Sequence, residues 1–198
     1  MKSVQQNKPN QDLPISIYID NNVWDFLYER KLDLAAELPC EKFCICITRE
    51  AEFEIPPIVN KNPELKRFID DSIEKCLVKV DSFFGFYNES LPQNEQRVSG
   101  FNIGRFASQE EINFMIQQRI PLKKKHIIKN QKTKLYKEEA DISIAARSFH
   151  SVVLSLDAKK GPINDAYRQG GKVVFLTDFD SSGMALSEFI SYIISESN

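Results

Sequence analysis

Short apolar runs rich in β-branched residues recur along this chain, and stretches with helical spacing separate them. The runs are Ile15–Ile19, Phe43–Ile47, Val152–Leu156 and Lys172–Leu176. A run apolar on both of its faces belongs in a sheet covered on both sides, which is the setting of parallel strands. Strands alternating with helices over the whole length predict one central parallel sheet in a three-layer α/β/α arrangement. Right-handed crossovers then gather the carboxyl ends of the strands along one edge, and sites in such sheets lie just outside that edge.

The intervening segments read as helices with recognisable punctuation. Asn21 and Asn22 can cap a helix through Tyr28, and a second helix covers Leu32–Leu38 before Pro39. Thr48 is an N-cap for Arg49–Ile55, which Pro56-Pro57 ends. Pro63 opens a helix whose apolar face carries Leu65, Phe68, Ile69, Ile73 and Leu77. Ser108-Gln109-Glu110-Glu111 has the form of a capping box for a helix through Arg119. Lys137–His150, Pro162–Gln169 and Ser182–Ile194 complete the set. Between Phe83 and Phe106 no period is evident, so that stretch reads as a connecting loop, and Gly100–Arg105 is a weak phosphate-cradle signal.

A chain of 198 residues with 42% hydrophobic residues is sized for one domain. The expected organisation is a flexible polar leader over residues 1–14 and a single domain over 15–198, with an enlarged insert around 78–137. No apolar stretch approaches the roughly 20 residues that cross a bilayer, and the leader lacks the apolar core of a signal peptide. A cytoplasmic protein with no membrane partner is expected. Cys40, Cys44, Cys46 and Cys76 fit that setting as small hydrophobes. His126 and His150 are not spaced from them as zinc ligands would be.

Four acids fall where strands end or helices begin: Asp20, Glu52, Asp141 and Asp157. Each has an ordinary explanation taken singly. Asp20 can be a helix cap, Glu52 a surface charge, Asp141 a first-turn acid and Asp157 a turn residue. Brought together at one sheet edge, they would repel one another unless a divalent cation lay among them, and carboxylate oxygens suit Mg²⁺ or Mn²⁺. Glu50 and Glu54 compete with Glu52 for the second position.

These segments, in this order, resemble the PIN domain, a small Rossmann-like nuclease fold. The likeness rests on Ile17-Tyr18-Ile19-Asp20-Asn21, on the acids that follow the second strand, on Ala140-Asp141-Ile142-Ser143-Ile144-Ala145-Ala146, and on Ser155-Leu156-Asp157. Within Ala51-Glu52-Phe53 the small-Glu-apolar triplet favours Glu52. Leu156 stands where the family carries a polar residue, and the stretch from Leu77 to Lys137 is longer than in a minimal member. The resemblance implies a Mg²⁺- or Mn²⁺-dependent endoribonuclease. Asp20, Glu52, Asp141 and Asp157 would serve as metal ligands and catalytic residues, with Thr48 and Ser155 in support. It also implies an RNA substrate, and it brings in a protein antitoxin and a homodimer as partners.

Arg119, Lys123, Lys124, Lys125, Lys129, Lys132, Lys134 and Lys137 form a basic run without an acid, the footprint of a phosphate-backbone partner. Of these, Lys123, Lys124, Lys125, Lys129, Lys132 and Lys134 are the expected nucleic-acid contacts. Two other readings compete. One is a PIN-like scaffold that binds RNA or protein without cutting. The other is a TOPRIM-like phosphoryl-transfer site at Asp178 and Asp180, in a turn that otherwise reads as the cap of the last helix.

Overall fold

A computed structural model of the chain describes residues 13–123 and 129–196. Five parallel strands form the central sheet, in the order β3-β2-β1-β6-β7. They are β1 (Ile15–Ile19), β2 (Phe43–Thr48), β3 (Lys79–Asp81), β6 (Val152–Ser155) and β7 (Val173–Phe175). Between β1 and β2 lie helices α1 (Asn21–Glu29) and α2 (Leu34–Glu37). From β2 the chain passes through α3 (Arg49–Glu52), a 3-10 turn over Pro56–Asn60 and α4 (Pro63–Lys75). Beyond β3 come a two-stranded parallel ribbon of β4 (Phe83–Phe84) and β5 (Val98–Ser99), then α5 (Gln109–Lys123) and α6 (Glu139–Arg147). Helix α7 (Pro162–Arg168) joins β6 to β7, and α8 (Phe179–Ser182) and α9 (Leu186–Glu196) close the described chain.

Side-chain alternation along the strands divides the core into two layers. Ile17, Ile19, Ile45, Ile47, Leu154 and Val174 point to one face, where Trp24, Leu27, Leu65, Ile69, Leu186 and Ile190 cover them. Tyr18, Cys46, Val153 and Val173 point to the other, against Phe114, Ile144, Ala145 and Ile163. Ala145 and Ala146 are fully buried, and their small side chains let α6 lie close on the sheet. The three-layer α/β/α architecture is as the strand–helix alternation predicts.

Several details differ from the sequence reading. Residues 83–106 are not a plain loop, since Phe83 pairs with Val98 and Phe84 with Ser99. Gly104 is required there, because a Cβ would lie 2.6 Å from the Ser99 carbonyl oxygen and 2.8 Å from the Phe84 nitrogen. Strand β3 is a short edge strand. The last helix does not run unbroken from Ser182, because Gly183 turns left-handed at φ +66° and α9 begins at Leu186. The capping box forms: the Ser108 hydroxyl accepts from the Glu111 N–H at 3.2 Å, and the Glu111 carboxylate accepts from the Ser108 N–H at 2.7 Å. Most of the expected leader, residues 1–12, lies outside the described residues. No helix among the described residues is long and apolar enough to cross a membrane.

Candidate functional site

The carboxyl edge of the sheet brings Asp20 to the end of β6. Asp20 follows the last residue of β1, and its backbone N–H donates to the Leu154 carbonyl at 3.1 Å. Its side chain caps α1 by accepting from Asn21 N–H at 2.8 Å, so the cap expected of such a residue is present. The same carboxylate accepts from Asn22 Nδ2 at 2.7 Å and from the Ser155 hydroxyl at 2.6 Å. Ser155 in turn accepts from the Asp157 backbone N–H at 3.0 Å, and Asn22 Oδ1 accepts from Leu156 N–H at 3.1 Å. One hydroxyl and one amide thus fix the start of α1 against the turn that carries Asp157, which is exposed. Burial raises the Asp20 carboxyl above its ordinary range, and the Glu54 charge pushes the same way against the three hydrogen bonds.

Asp141 lies in the first turn of α6 with no hydrogen bond to its carboxylate among the described residues. Burial, then the charges of Asp20, Asp157 and Glu138, push it up to about 6. Asp20 and Asp157 are thus among the charges that act on Asp141.

The three acids that follow β2 have different partners. Glu52 turns to Arg49 in an ion pair, and that guanidinium also reaches the Gln96 carbonyl at 3.2 Å. Glu54 accepts from Asn21 Nδ2 at 2.6 Å, and the same amide donates to the Ala51 carbonyl at 3.1 Å. Glu54 is raised by burial and then by Asp141. Glu50 is buried and accepts from Ser143 at 2.5 Å, with Arg147 opposing the upward push of its burial. Charge thus links Asp20, Glu54, Asp141 and Asp157, whereas the Glu52 carboxylate is engaged by Arg49. Asn21 and Asn22, which the sequence marks only as helix-cap residues, hold two of the four.

Thr48 is fully buried, and its hydroxyl accepts from Ala51 N–H at 3.1 Å to cap α3. Within the basic run, Lys129 pairs with Glu95 at 2.5 Å and Lys137 with Glu138 at 3.3 Å. Lys132 is exposed, with no ion pair among the described residues. Lys124 and Lys125 lie outside the described residues, and Lys123 is described only as the last residue of α5. Asp180 forms a two-point contact with Arg30 at 2.7 and 2.5 Å, so it serves to tie α8 to the end of α1.

The donor set at the sheet edge fits a hard divalent cation in chemistry. All its donors are carboxylate oxygens, and the leading charges acting on Asp20, Glu54 and Asp141 are other carboxylates. Among the described residues, no three His, Cys, Asp or Glu side chains are arranged as a ready-made metal cage. No family model and no curated protein matches the sequence.

Proposed function

We propose that the protein is a metal-dependent endoribonuclease of PIN type. The observation that carries this reading is Asp141, a partly buried carboxylate without a hydrogen bond among the described residues, pushed up to about 6 by burial and then by the charges of Asp20, Asp157 and Glu138. A fold spends stability on such a repulsion where an external cation relieves it. Mg²⁺ or Mn²⁺ bound there would generate a nucleophilic water at neutral pH and offset the charge developing on a scissile phosphate.

The chain's own groups set the geometry for that chemistry. Ser155 and Asn22 orient Asp20 and the turn of Asp157, and Asn21 orients Glu54. Asp141 is left with both oxygens for the cation. Asp20, Glu54, Asp141 and Asp157 are the residues we assign to metal binding, with Glu54 in place of Glu52. We place the protein in the cytoplasm, in keeping with four free cysteines. An antitoxin and a homodimeric state follow from the family resemblance alone.

The test is cleavage of a mixed RNA pool by purified protein with Mn²⁺ or Mg²⁺, beside Asp141→Asn and an EDTA control. Cleavage lost in both controls supports the reading. A wild type as inert as the variant, yet still binding RNA, replaces it with a non-cutting scaffold.

A further inference from the structure

We propose that a groove lined in part by Glu54 is the track on which a single strand of nucleic acid lies beside the carboxylates. The inference rests on the nuclease reading for the chemistry at Glu54, but it concerns a separate surface. The groove has a volume of about 620 Å³ and runs between the 3-10 turn Pro56–Asn60 and the loop 130–133. Asn60 and Lys61 line one wall, and Asn130, Gln131, Lys132 and Thr133 line the other.

The loop is built to present Lys132. Asn130 Oδ1 accepts from the N–H groups of Lys132 and Thr133 at 2.8 and 3.3 Å, and Asn130 N–H and C=O bond to Leu135 and Lys134 at 2.8 Å each. On one side Lys129 is tied to Glu95 at 2.5 Å, and on the other the Lys134 carbonyl holds Arg97 at 2.5 Å. Lys61 and Lys132 are both exposed, and neither has a carboxylate partner among the described residues.

The groove therefore carries charge of both signs, Glu54 and the two lysines. A phosphodiester chain carries one charge per nucleotide and suits that combination. One phosphate meets the lysines directly, while its neighbour reaches the acids only with a cation between. Amide side chains from Asn60, Asn130 and Gln131 can meet base edges or sugar hydroxyls. The volume falls within the roughly 300–1,000 Å³ of clefts that take one small ligand, enough for a nucleotide or two of a single strand.

The experiment measures affinity of the full chain for a labelled single-stranded RNA of mixed sequence, in EDTA so that nothing is cut, over a salt series. The variants are the double substitution Lys61→Gln/Lys132→Gln and, as control, Lys42→Gln, an exposed lysine at the opposite edge of the sheet. The double variant is expected to raise Kd about tenfold and to flatten the log–log salt dependence by about 1.4, two phosphate contacts at roughly 0.7 each. The control should match wild type. Unchanged affinity and slope in the double variant overturn the proposal, as does an equal loss in the control or tighter binding of a duplex than of the single strand. If wild type never cleaves but the double variant loses affinity as stated, the track stands and the nuclease reading falls. If wild type cleaves and the double variant binds and cuts equally well, the reverse holds.

Discussion

The two ends of α6 handle buried charge in opposite ways. Arg147 in the last turn is 1% exposed, and its Nε donates to Asp81 at 2.9 Å while Nη1 donates to the Ser143 carbonyl at 3.2 Å. Its guanidinium lies 3.6 Å over the centre of the Phe83 ring. Arg105 shares Asp81 at 3.3 Å and pairs with Glu111, so each charge has an opposite. Two turns earlier on the same helix, Asp141 faces only other acids. The charge-matched cluster holds the insert to the sheet, although Arg147 Nη2 is buried there without a hydrogen bond. The unmatched one is where we propose that a cation from solution binds.

That contrast can be broken at either end. The largest effect is expected from Arg147→Met, which leaves Asp81 and Glu50 short of a buried partner. Unfolding stability should fall by about 3–5 kcal/mol in chemical denaturation. A loss under 1 kcal/mol would mean that the matched cluster does not hold the insert.

Asp141→Asn should act with the opposite sign. The folded protein keeps a proton on Asp141 up to about pH 6, whereas the unfolded chain releases it near pH 4. Stability contributed by this group therefore falls as pH rises through that window, and the ionised carboxylate is a cost at pH 7. Without divalent metal the variant should be about 1–3 kcal/mol more stable than wild type at pH 7, with the gap closing towards pH 4. Added Mn²⁺ should raise the Tm of wild type and leave that of the variant in place. A variant less stable than wild type at pH 7 would mean that Asp141 has a partner after all.

Ser155→Ala comes next. It removes a buried donor to Asp20 and the acceptor for Asp157 N–H, and should cost about 1–2 kcal/mol. Metal-dependent cleavage should fall by about 10–100-fold, as when the orientation of metal ligands is lost. The smallest change is expected from Glu52→Gln, which breaks only the partly exposed pair with Arg49. It should shift stability by under about 1 kcal/mol and leave cleavage intact, while Glu54→Gln abolishes it. The opposite ranking would return the second acidic position to Glu52.

The choice between those two glutamates also marks where sequence reading ends. β1, β2, β6 and β7 are legible because they are buried on both faces, and the position of Asp20 and Asp157 just past β1 and β6 follows from those strands. α3 is a single turn of four residues. Residues two apart on such a turn point to nearly opposite sides, so the direction of Glu52 or Glu54 depends on how one turn is rotated. Arg49, held by the Gln96 carbonyl from the insert, draws Glu52 away. Nothing local in the sequence encodes that contact. β3, as Lys79-Val80-Asp81, is too short and polar to signal a strand, and β4 and β5 are two residues each. The long-range roles of Asn21 and Asn22 were hidden behind an adequate local one.

The hydrogen bond from Ser155 to Asp20 joins residues 135 apart in sequence. β1, β2 and β3 can pair as soon as they are made, but the other side of β1 waits for β6. Asp20 and Glu54 belong to the early half of the chain and Asp141 and Asp157 to the late half. On a translating ribosome Asp20 and Glu54 thus emerge well before Asp141 and Asp157. In the proposed nuclease the four carboxylates therefore cannot meet until β6 and the turn that follows it have been made.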